Sequence, residues 1–578
     1  MKSHDLLTTL GVFASTSLLA ACSSSNAEHD DKPKSAPAPT DACNGAPVDG
    51  RCVDAKTVES CGIPSEGGKP RPQVTKCSDD EECRVDDKDV ADCVLKVGCR
   101  TGDTACKGTG TLRTCKDGVW VDSPCSTTCV NTPIASTCRS SGITLVARKG
   151  RATFQRRKGN ASRTALEATP VEAPARGFLL TFQRGTEVIS ATTTSADDGS
   201  FTLDVPTTLE AGDVVRLAAV AGDDAGGIAY LVANPGFPAG RQKVDALDDV
   251  YRDGTKPPAV WSWDWTAKDL PHGNVDLQIP LTISGIRHAG GIANVFDQVG
   301  ASYRETKRRY GKGGAPLVVW MGDSVAWDCG DCQQDQKRLL FANRFQHDLL
   351  ISATDDQTYF SDAMLQHEFG HYVMATYGKS NPESGNHDGS CPSYPGQAWS
   401  EGFASWFSMY ALGSSVYSYF EKDGALICDY EGYTVNGEPW PRPTPSAKDV
   451  SPSSAPGLLQ TITETEVTAT LLKLSRGSAD PGPILKALAS PRMTKTVALP
   501  GGRRGYERSY FAHQWNQDDG TVCQAKSPPE VLLNPAQTMA DLFDAMLCAG
   551  FDKARLDAAT EPATHYPFPS SSPLCRPR

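Results

Sequence analysis

Apolar and polar residues alternate along much of the segment 142–283, which is typical of strands with one buried face. Residues 200–205, Ser-Phe-Thr-Leu-Asp-Val, show this pattern plainly. Trp261, Trp263 and Trp265 also alternate, and we expect them to pack in a seam with the next domain rather than to form a carbohydrate-stacking stripe. This alternation predicts a β-sandwich over residues 142–283. Because the segment carries no cluster of titratable side chains, we expect it to act as a spacer or docking domain.

The pattern becomes helical from residue 284 onward, where apolar residues recur at a spacing of three and four. Residues 316–321, Pro-Leu-Val-Val-Trp-Met, instead predict a short buried strand. Helices are predicted over the segments 286–310, 361–378, 463–474 and 539–551, and residues 397–407 predict the start of another. A further helical stretch is predicted to carry Tyr506, Tyr510 and His513. The segment 284–578 is therefore predicted to be a mainly α-helical α+β domain.

Cysteines crowd the segment between residues 43 and 138 in two sets of six. The first set is Cys43, Cys52, Cys61, Cys77, Cys83 and Cys93, and the second is Cys99, Cys106, Cys115, Cys125, Cys129 and Cys138. Each unit has too little apolar surface for a core, so we expect about three disulfides to hold it. The sets predict tandem six-cysteine modules over residues 43–98 and 99–141, which serve as spacers or as ligand-binding knobs.

Cysteine usage also indicates an oxidising compartment. The chain has 20 cysteines, and an odd number remains once Cys22 is set aside, so one is expected to be free or paired to another chain. Cys329 and Cys332 form a CxxC motif without a surrounding βαβ pattern. We therefore expect a structural disulfide, local or to a distant cysteine, rather than a redox or metal motif.

Length and charge place the chain among multidomain proteins that do not bind nucleic acid. Its 578 residues are too many for one ordinary domain. Its formal net charge of −12 argues against nucleic acid or anionic lipid as a direct partner. The predicted fold class is therefore disulfide-rich repeats, then a β-sandwich, then the helical α+β domain.

The N-terminus has the features of a targeting segment. Residues 1–21 are predicted to be a signal peptide: residues 6–19 are mostly apolar or small, and Leu-Ala-Ala stands directly before Cys22. This resembles the bacterial lipobox, which implies export, lipidation of Cys22 and a membrane anchor in the cell envelope, and Ser23 after it is typical of outer-membrane lipoproteins. The alternative is a plain signal peptide cut at the same small residues. Residues 22–42 then predict a disordered tether.

The motif that points most directly to chemistry is His-Glu-Phe-Gly-His over residues 367–371. Four residues apart on a helix, His367 and His371 project from one face about one turn apart. Two neutral imidazoles at this spacing can bind one zinc ion, and Glu368 is placed to accept a proton from an attacking water. The alternative is a chance match on an ordinary buried helix.

A zinc site needs a third protein ligand. The metzincin continuation is absent, because Met374 stands where its glycine would be and Tyr377 stands where its third histidine would be. The predicted helix at 397–407 carries Glu401 in its first turn, from where its carboxylate could face the histidine pair.

At this point the sequence resembles the gluzincin zinc metallopeptidases, which pair HExxH with a glutamate on the next helix. The resemblance is local to these two helices. It implies a zincin-like fold in which Zn²⁺ is held by His367, His371 and Glu401, with Glu368 as the catalytic base. Strands pass beside the HExxH helix in this class, which by analogy makes residues 316–321 an edge strand that aligns an extended substrate.

Two features depart from thermolysin-like members of the class. The interval between His371 and Glu401 is longer, and it holds His387 and Asp388, either of which could be the third ligand instead of Glu401. Thermolysin-like enzymes also tend to carry an aspartate where this chain has Ser405. The outer partner that orients one histidine therefore stays open.

Three further resemblances concern the rest of the chain. Gluzincins bring a Tyr hydroxyl or His imidazole to the oxyanion, and the candidates are Tyr506, Tyr510, His513 and His387. Residues 106–125 resemble small cysteine-rich repeats of myxobacterial surface proteins, and residues 192–206 resemble a prealbumin-like sandwich.

Together these observations predict an exported, lipid-anchored zinc metallopeptidase that hydrolyses peptide bonds in a protein or peptide substrate. The alternative is a catalytically silent cell-surface binding protein that works through the cysteine-rich and sandwich modules. The intact Glu368 counts against that alternative, because a relic has no reason to keep the base. A zinc hydrolase acting on a non-peptide amide or ester stays open as a third possibility.

Overall fold

In the computed structural model, a strand-rich region with disulfides is followed by a region that contains the long helices. This confirms the multidomain class predicted from the sequence. The structure describes residues 50–62, 71–77, 81–85, 91–95, 99, 102–224, 226–251, 256–270, 273–335, 338–340, 343–353, 357–380, 395–421, 424–439, 443–445, 463–476, 481–494, 514–517, 522–524 and 538–560.

The two cysteine-rich modules consist of short antiparallel strands. The first contains β1 (Arg51–Asp54), β2 (Thr57–Gly62), β3 (Arg71–Lys76), β4 (Glu81–Val85) and β5 (Ala91–Leu95). The second contains β6 (Thr104–Cys106), β7 (Thr111–Lys116), β8 (Val119–Pro124), β9 (Cys129–Asn131) and β10 (Ser136–Cys138). The buried cluster of the first module is very small and includes two half-cystines; it is Val58, Cys77, Ala91 and Cys93. Disulfides therefore stabilise this module in place of a large hydrophobic core.

The disulfide pairing repeats between the modules. The bonds are Cys52–Cys83 and Cys77–Cys93 in the first, and Cys99–Cys115, Cys106–Cys129 and Cys125–Cys138 in the second. Within each set of six, the second cysteine pairs with the fifth and the fourth with the sixth, as a tandem repeat requires. Cys329 pairs locally with Cys332, as expected, and no cysteine within the described segments is free.

The predicted sandwich segment contains two four-stranded sheets, which are antiparallel except for one parallel strand pair. The elements of this part of the chain are β11 (Leu145–Arg156), β12 (Val171–Pro174), β13 (Leu179–Arg184), β14 (Glu187–Thr193), β15 (Ser200–Pro206), β16 (Asp213–Ala218), β17 (Val220–Gly222), β18 (Ile228–Asn234), β19 (Gly240–Gln242), α1 (Asp245–Tyr251), β20 (Ala259–Val260), β21 (Ser262–Thr266) and β22 (Val275–Ile279). One sheet has the order β12-β11-β15, with β22 parallel to β11, and the other has the order β14-β13-β16-β21.

The remaining elements surround the predicted site. In chain order they are α2 (Ala289–Tyr310), β23 (Leu317–Trp320), β24 (Val325–Trp327), β25 (Cys332–Gln334), β26 (Arg338–Leu340), β27 (Asn343–Phe345), β28 (His347–Leu350), α3 (Asp362–Tyr377), α4 (Pro395–Leu412), β29 (Val416–Glu421), β30 (Gly424–Asp429), β31 (Thr434–Val435), β32 (Glu438–Pro439), β33 (Pro443–Pro445), α5 (Glu464–Arg476), α6 (Gly482–Leu488), α7 (Pro491–Thr494), β34 (Gln514–Gln517), β35 (Val522–Gln524), α8 (Met539–Cys548) and α9 (Lys553–Thr560). The five helices predicted within the described segments are present, and α4 continues beyond residue 407 to Leu412. The helical stretch predicted around Tyr506, Tyr510 and His513 lies outside the described residues. No helix in the described segments is long and apolar enough to cross a bilayer.

A six-stranded sheet crosses the boundary that the sequence predicts at residue 284. Its order is β17-β18-β23-β28-β25, with β20 beside β18. The strands β18, β23 and β28 run parallel, whereas β25 pairs antiparallel with β28 at the edge. Residue 284 therefore marks the start of the helical part but not of a separate sheet.

The expectation that residues 316–321 form an edge strand is wrong. The strand is present as β23, but it lies inside the sheet between β18 and β28, and all four of its residues are buried. A continuous apolar run is typical of an interior parallel strand, because both of its faces are covered. The edge position belongs to β25, which lies next to α3.

One hydrophobic core joins the sandwich to the helical part. Phe178 packs against Phe296 of α2 with ring centroids 4.2 Å apart, and against Trp263 at 5.9 Å. The indole of Trp261 donates a hydrogen bond to the carbonyl of Met321 at 2.8 Å. Trp261 and Trp263 are thus buried in the predicted seam.

Candidate metal centre

The helix α3 carries the HExxH motif and is buried at nearly every position. Its neighbours fix it on two sides. The side chain of Gln366, next to the first histidine, donates to the carbonyl of Gln298 on α2 at 3.1 Å. On the other side, the hydroxyl of Ser408 on α4 donates to the carbonyl of Ala363 at 2.6 Å. The histidines are therefore presented by a rigid element held between two helices.

Glu401 reaches the histidines from α4. This helix begins at Pro395, so Glu401 lies in its second turn and not in the first turn that the sequence predicts. Oε2 of Glu401 lies 3.2 Å from Nε2 of His367 and 3.2 Å from Nε2 of His371. The two Nε2 atoms are themselves 3.2 Å apart. Among the described residues, these three form the one group of histidine, cysteine and carboxylate ligands close enough to hold a metal ion.

Each histidine has a serine hydroxyl at its other ring nitrogen. Nδ1 of His367 lies 3.1 Å from Oγ of Ser405, and Nδ1 of His371 lies 3.2 Å from Oγ of Ser400. The tautomer that donates from Nδ1 leaves Nε2 with a lone pair directed at the centre. Both serines belong to α4, which therefore supplies a ligand and the partners of both rings. Ser405 thus occupies the role that the sequence left open.

The donor set fits a cation. With both rings in this tautomer, two imidazole lone pairs and one carboxylate oxygen meet at a single point, and three acceptors so close together repel one another unless a positive charge lies between them. The side chain of His367 is only 1% exposed, whereas those of His371 and Glu401 are 13% and 15% exposed. The centre is therefore closed on one side and open to solvent on the other, which leaves room for a further ligand.

Glu368 follows the first histidine and is buried on the same helix. A second carboxyl, that of Asp331, lies close enough for the two charges to interact. Asp331 stands within the loop closed by the Cys329–Cys332 disulfide and accepts the backbone N–H of Ser352 at 2.6 Å. Burial and the negative charge of Glu368 raise the pKa of Asp331 well above its ordinary value. The motif glutamate thus has an acidic neighbour that comes from the edge of the sheet.

A hairpin covers the far side of His367. The ring of Tyr417 on β29 meets the ring of His367 edge-on, with centroids 6.3 Å apart. Burial is the main cause that raises the pKa of Tyr417 well above its ordinary value, and the negative charge of Glu368 adds to it. The hydroxyl of Tyr417 therefore stays neutral beside the centre.

The structure brings together His367, Glu368, His371 and Glu401 of the residues predicted from the sequence. The remaining predicted residues lie outside the described segments: the alternative ligands His387 and Asp388, the oxyanion candidates Tyr506, Tyr510, His513 and His387, and the lipidation residue Cys22.

Sequence reasoning missed Ser400, Asp331 and Tyr417. Ser400 stands directly before Glu401, so a search for polar residues beside the third ligand would have found it. Asp331 and Tyr417 carry no local signal, because their approach to the centre depends on strand pairing far along the chain.

No protein-family model matches the sequence, and no curated protein matches it significantly.

Proposed function

We propose that the protein is a zinc metallopeptidase of the gluzincin type, exported and anchored by a lipid. The observation that carries the proposal is the meeting of His367 Nε2, His371 Nε2 and Glu401 Oε2, each 3.2 Å from the others, beside Glu368. The packing of α3 against a mixed sheet with an antiparallel edge strand, with α4 beside α3, supports a zincin-like fold.

The donor set favours zinc among the common metal ions. Two imidazoles and one carboxylate are a ligand set of catalytic zinc sites, which keep a fourth position open. Ligand atoms of tetrahedral zinc lie about 3.3–3.4 Å from one another, close to the observed 3.2 Å. Calcium and magnesium prefer sets made of oxygen ligands. When bound, zinc polarises a substrate carbonyl and lowers the pKa of water to about 7.

Glu368 performs the proton transfers of the proposed reaction. As an ionised carboxylate, it accepts a proton from the water that attacks the scissile carbonyl, and the same carboxyl then donates this proton to the leaving amine. His367 and His371 would bind the metal through Nε2, and their Nδ1 atoms are held by Ser405 and Ser400, so neither ring has a nitrogen left to take that proton.

The edge strand β25 favours a peptide as the substrate. Among the described strands it pairs with β28 alone, so its other side can pair with an extended chain. It also lies next to α3, which carries the proposed base. A peptide added to this edge would run past the metal centre with its backbone aligned by hydrogen bonds.

The proposed location is the bacterial cell envelope, with the protein exported from the cytoplasm and anchored at the outer membrane. The six described disulfides indicate an oxidising environment. The lipobox-like sequence ending at Cys22 would anchor the chain to a membrane through a lipid on that cysteine. The cysteine-rich modules and the sandwich would then separate the metal centre from the membrane.

Metal analysis combined with proteolysis tests the proposal. The full-length protein should contain one zinc per chain, and its degradation of casein should stop with a chelator and return with added Zn²⁺. A protein that binds zinc but cleaves neither casein nor an unbiased peptide library would leave the metal centre in place and overturn the peptidase assignment. A protein without zinc would overturn both.

A further inference from the structure

The His367 side of the metal centre continues into a line of buried polar groups. Oγ of Ser405, which is 3.1 Å from Nδ1 of His367, also hydrogen-bonds the side chain of Tyr430. The negative charge of Glu464, at the start of α5, acts in turn on Tyr430. All four side chains are buried. The ring of His367 is thus linked through two hydroxyl groups toward a carboxylate.

We propose that Tyr430 is a positioning residue of the metal centre: through Ser405 it holds the ring of His367 with Nε2 directed at the metal. The inference rests on the proposed function, since it assigns a role around the same site. In metal centres of this kind, a carboxylate often accepts the N–H of the ligating histidine directly. Here the serine and tyrosine hydroxyls take the place of that carboxylate.

A serine hydroxyl cannot fix the histidine by itself. It carries one hydrogen and two lone pairs and rotates freely about its Cβ–Oγ bond. To accept the N–H of His367, Ser405 must direct its own hydrogen elsewhere, and in a buried site that hydrogen needs a partner. Tyr430 is that partner, so the orientation of the serine and of the imidazole depends on the phenol.

The tyrosine is well placed to act as a fixed partner. It directly follows β30, and its backbone N–H donates to the carbonyl of Ser415 at 3.3 Å. Burial and the negative charge of Glu464 raise the pKa of its hydroxyl, so the phenol remains neutral. The same hairpin also places the ring of Tyr417 against His367. The hairpin therefore supports the first histidine through both a ring contact and a hydrogen bond.

A double-mutant cycle on zinc affinity tests this inference. In the full-length protein, the Kd for Zn²⁺ is measured by competition with a chromophoric chelator for the parent, Ser405→Ala, Tyr430→Phe and the double variant. Loss of an outer partner typically costs 10–100-fold in metal affinity. We expect Tyr430→Phe to raise the Kd about 10-fold. The double variant should match Ser405→Ala, because the tyrosine acts only through the serine.

Two further measurements separate positioning from general loss of structure. Tyr251→Phe removes a buried hydroxyl that bonds the carbonyl of Pro235 at 2.9 Å, away from the centre, and it should leave the Kd unchanged. The visible spectrum of bound Co²⁺ should change in Tyr430→Phe but not in Tyr251→Phe, because it reports ligand geometry.

The possible outcomes distinguish a failure of the positioning role from a failure of the proposed function. The positioning role would be overturned by a Kd for Tyr430→Phe within twofold of the parent value. It would also be overturned if the fold-changes in Kd of Ser405→Ala and Tyr430→Phe multiply in the double variant. In both cases, zinc binding by the parent would still support the proposed function. A parent protein that binds neither Zn²⁺ nor Co²⁺ would overturn the proposed function and this inference with it.

Discussion

Gly370 of α3 lies directly against Ala404 of α4. A Cβ atom placed on Gly370 would be 2.7 Å from Cα of Ala404 and 3.0 Å from its carbonyl oxygen. Since side chains do not approach backbone so closely, the contact exists only because residue 370 has no side chain. This close approach brings Glu401, one turn before Ala404, within 3.2 Å of both histidines. The glycine inside the HExxH motif thus sets the distance between the two helices that carry the candidate ligands.

Gly370→Ala should therefore weaken both the fold and the metal centre. In a helix interior, glycine to alanine normally stabilises by about 1 kcal/mol. Here the added methyl group meets backbone, and overpacking of this kind costs about 1–3 kcal/mol. We expect a lower thermal unfolding midpoint and a weaker affinity for Zn²⁺. In the control Gly110→Ala, the new Cβ has nothing within 4 Å, so zinc affinity should be unchanged. An equal or higher midpoint for Gly370→Ala would contradict the argument.

Glu368→Gln should separate metal binding from catalysis. The amide keeps the size of the side chain and leaves the three ligands in place, but it cannot accept the proton of the attacking water. We expect the zinc content of the parent and a rate of peptide hydrolysis lower by about 10²–10⁴-fold. Glu210→Gln, at an exposed glutamate paired with Arg184, is the matched control and should hydrolyse as fast as the parent. Unchanged turnover in Glu368→Gln would remove Glu368 from the mechanism.

Glu401→Ala should weaken zinc binding itself. It removes one of three ligand atoms, so its effect should exceed the 10–100-fold that an outer partner contributes. Ser400→Ala, which removes only the hydroxyl beside Nδ1 of His371, provides the comparison within the same helix. Competition titrations with a chelator would rank the two variants. If Glu401→Ala binds zinc as tightly as the parent, another residue is the third ligand.

The sequence predicts the ligands because their signals are local. His367 and His371 are spaced by one helical turn, and Glu401 lies near the start of the apolar pattern at 397–407 that predicts the next helix. What the sequence could not supply is the distance between those helices. That distance depends on Gly370 and Ala404, whose contact leaves no trace in either pattern.

The rest of the fold was harder to predict, because the sequence does not show which strands pair with each other. The strand β23 was expected at an edge, yet it lies between β18, from the sandwich segment, and β28. Periodicity shows that such a strand is buried but does not name its neighbours. The same limit hid Asp331, because its approach to Glu368 depends on β25 pairing with β28.

Acid should release the contact between α2 and α4 at Glu305. Its carboxylate accepts hydrogen bonds from Arg308, Arg309 and the hydroxyl of Tyr410 on α4. Burial raises the pKa of Glu305, but these hydrogen bonds outweigh it and lower the pKa from 4.5 to about 2. Since the unfolded chain then binds more protons between these values, the stabilisation is complete above about pH 4.5 and is lost as the pH falls toward 2. Glu305→Gln should therefore lower the unfolding midpoint at pH 7, and its difference from the parent should shrink in acid. A difference that is constant with pH, or one matched by the control Glu210→Gln, would contradict this.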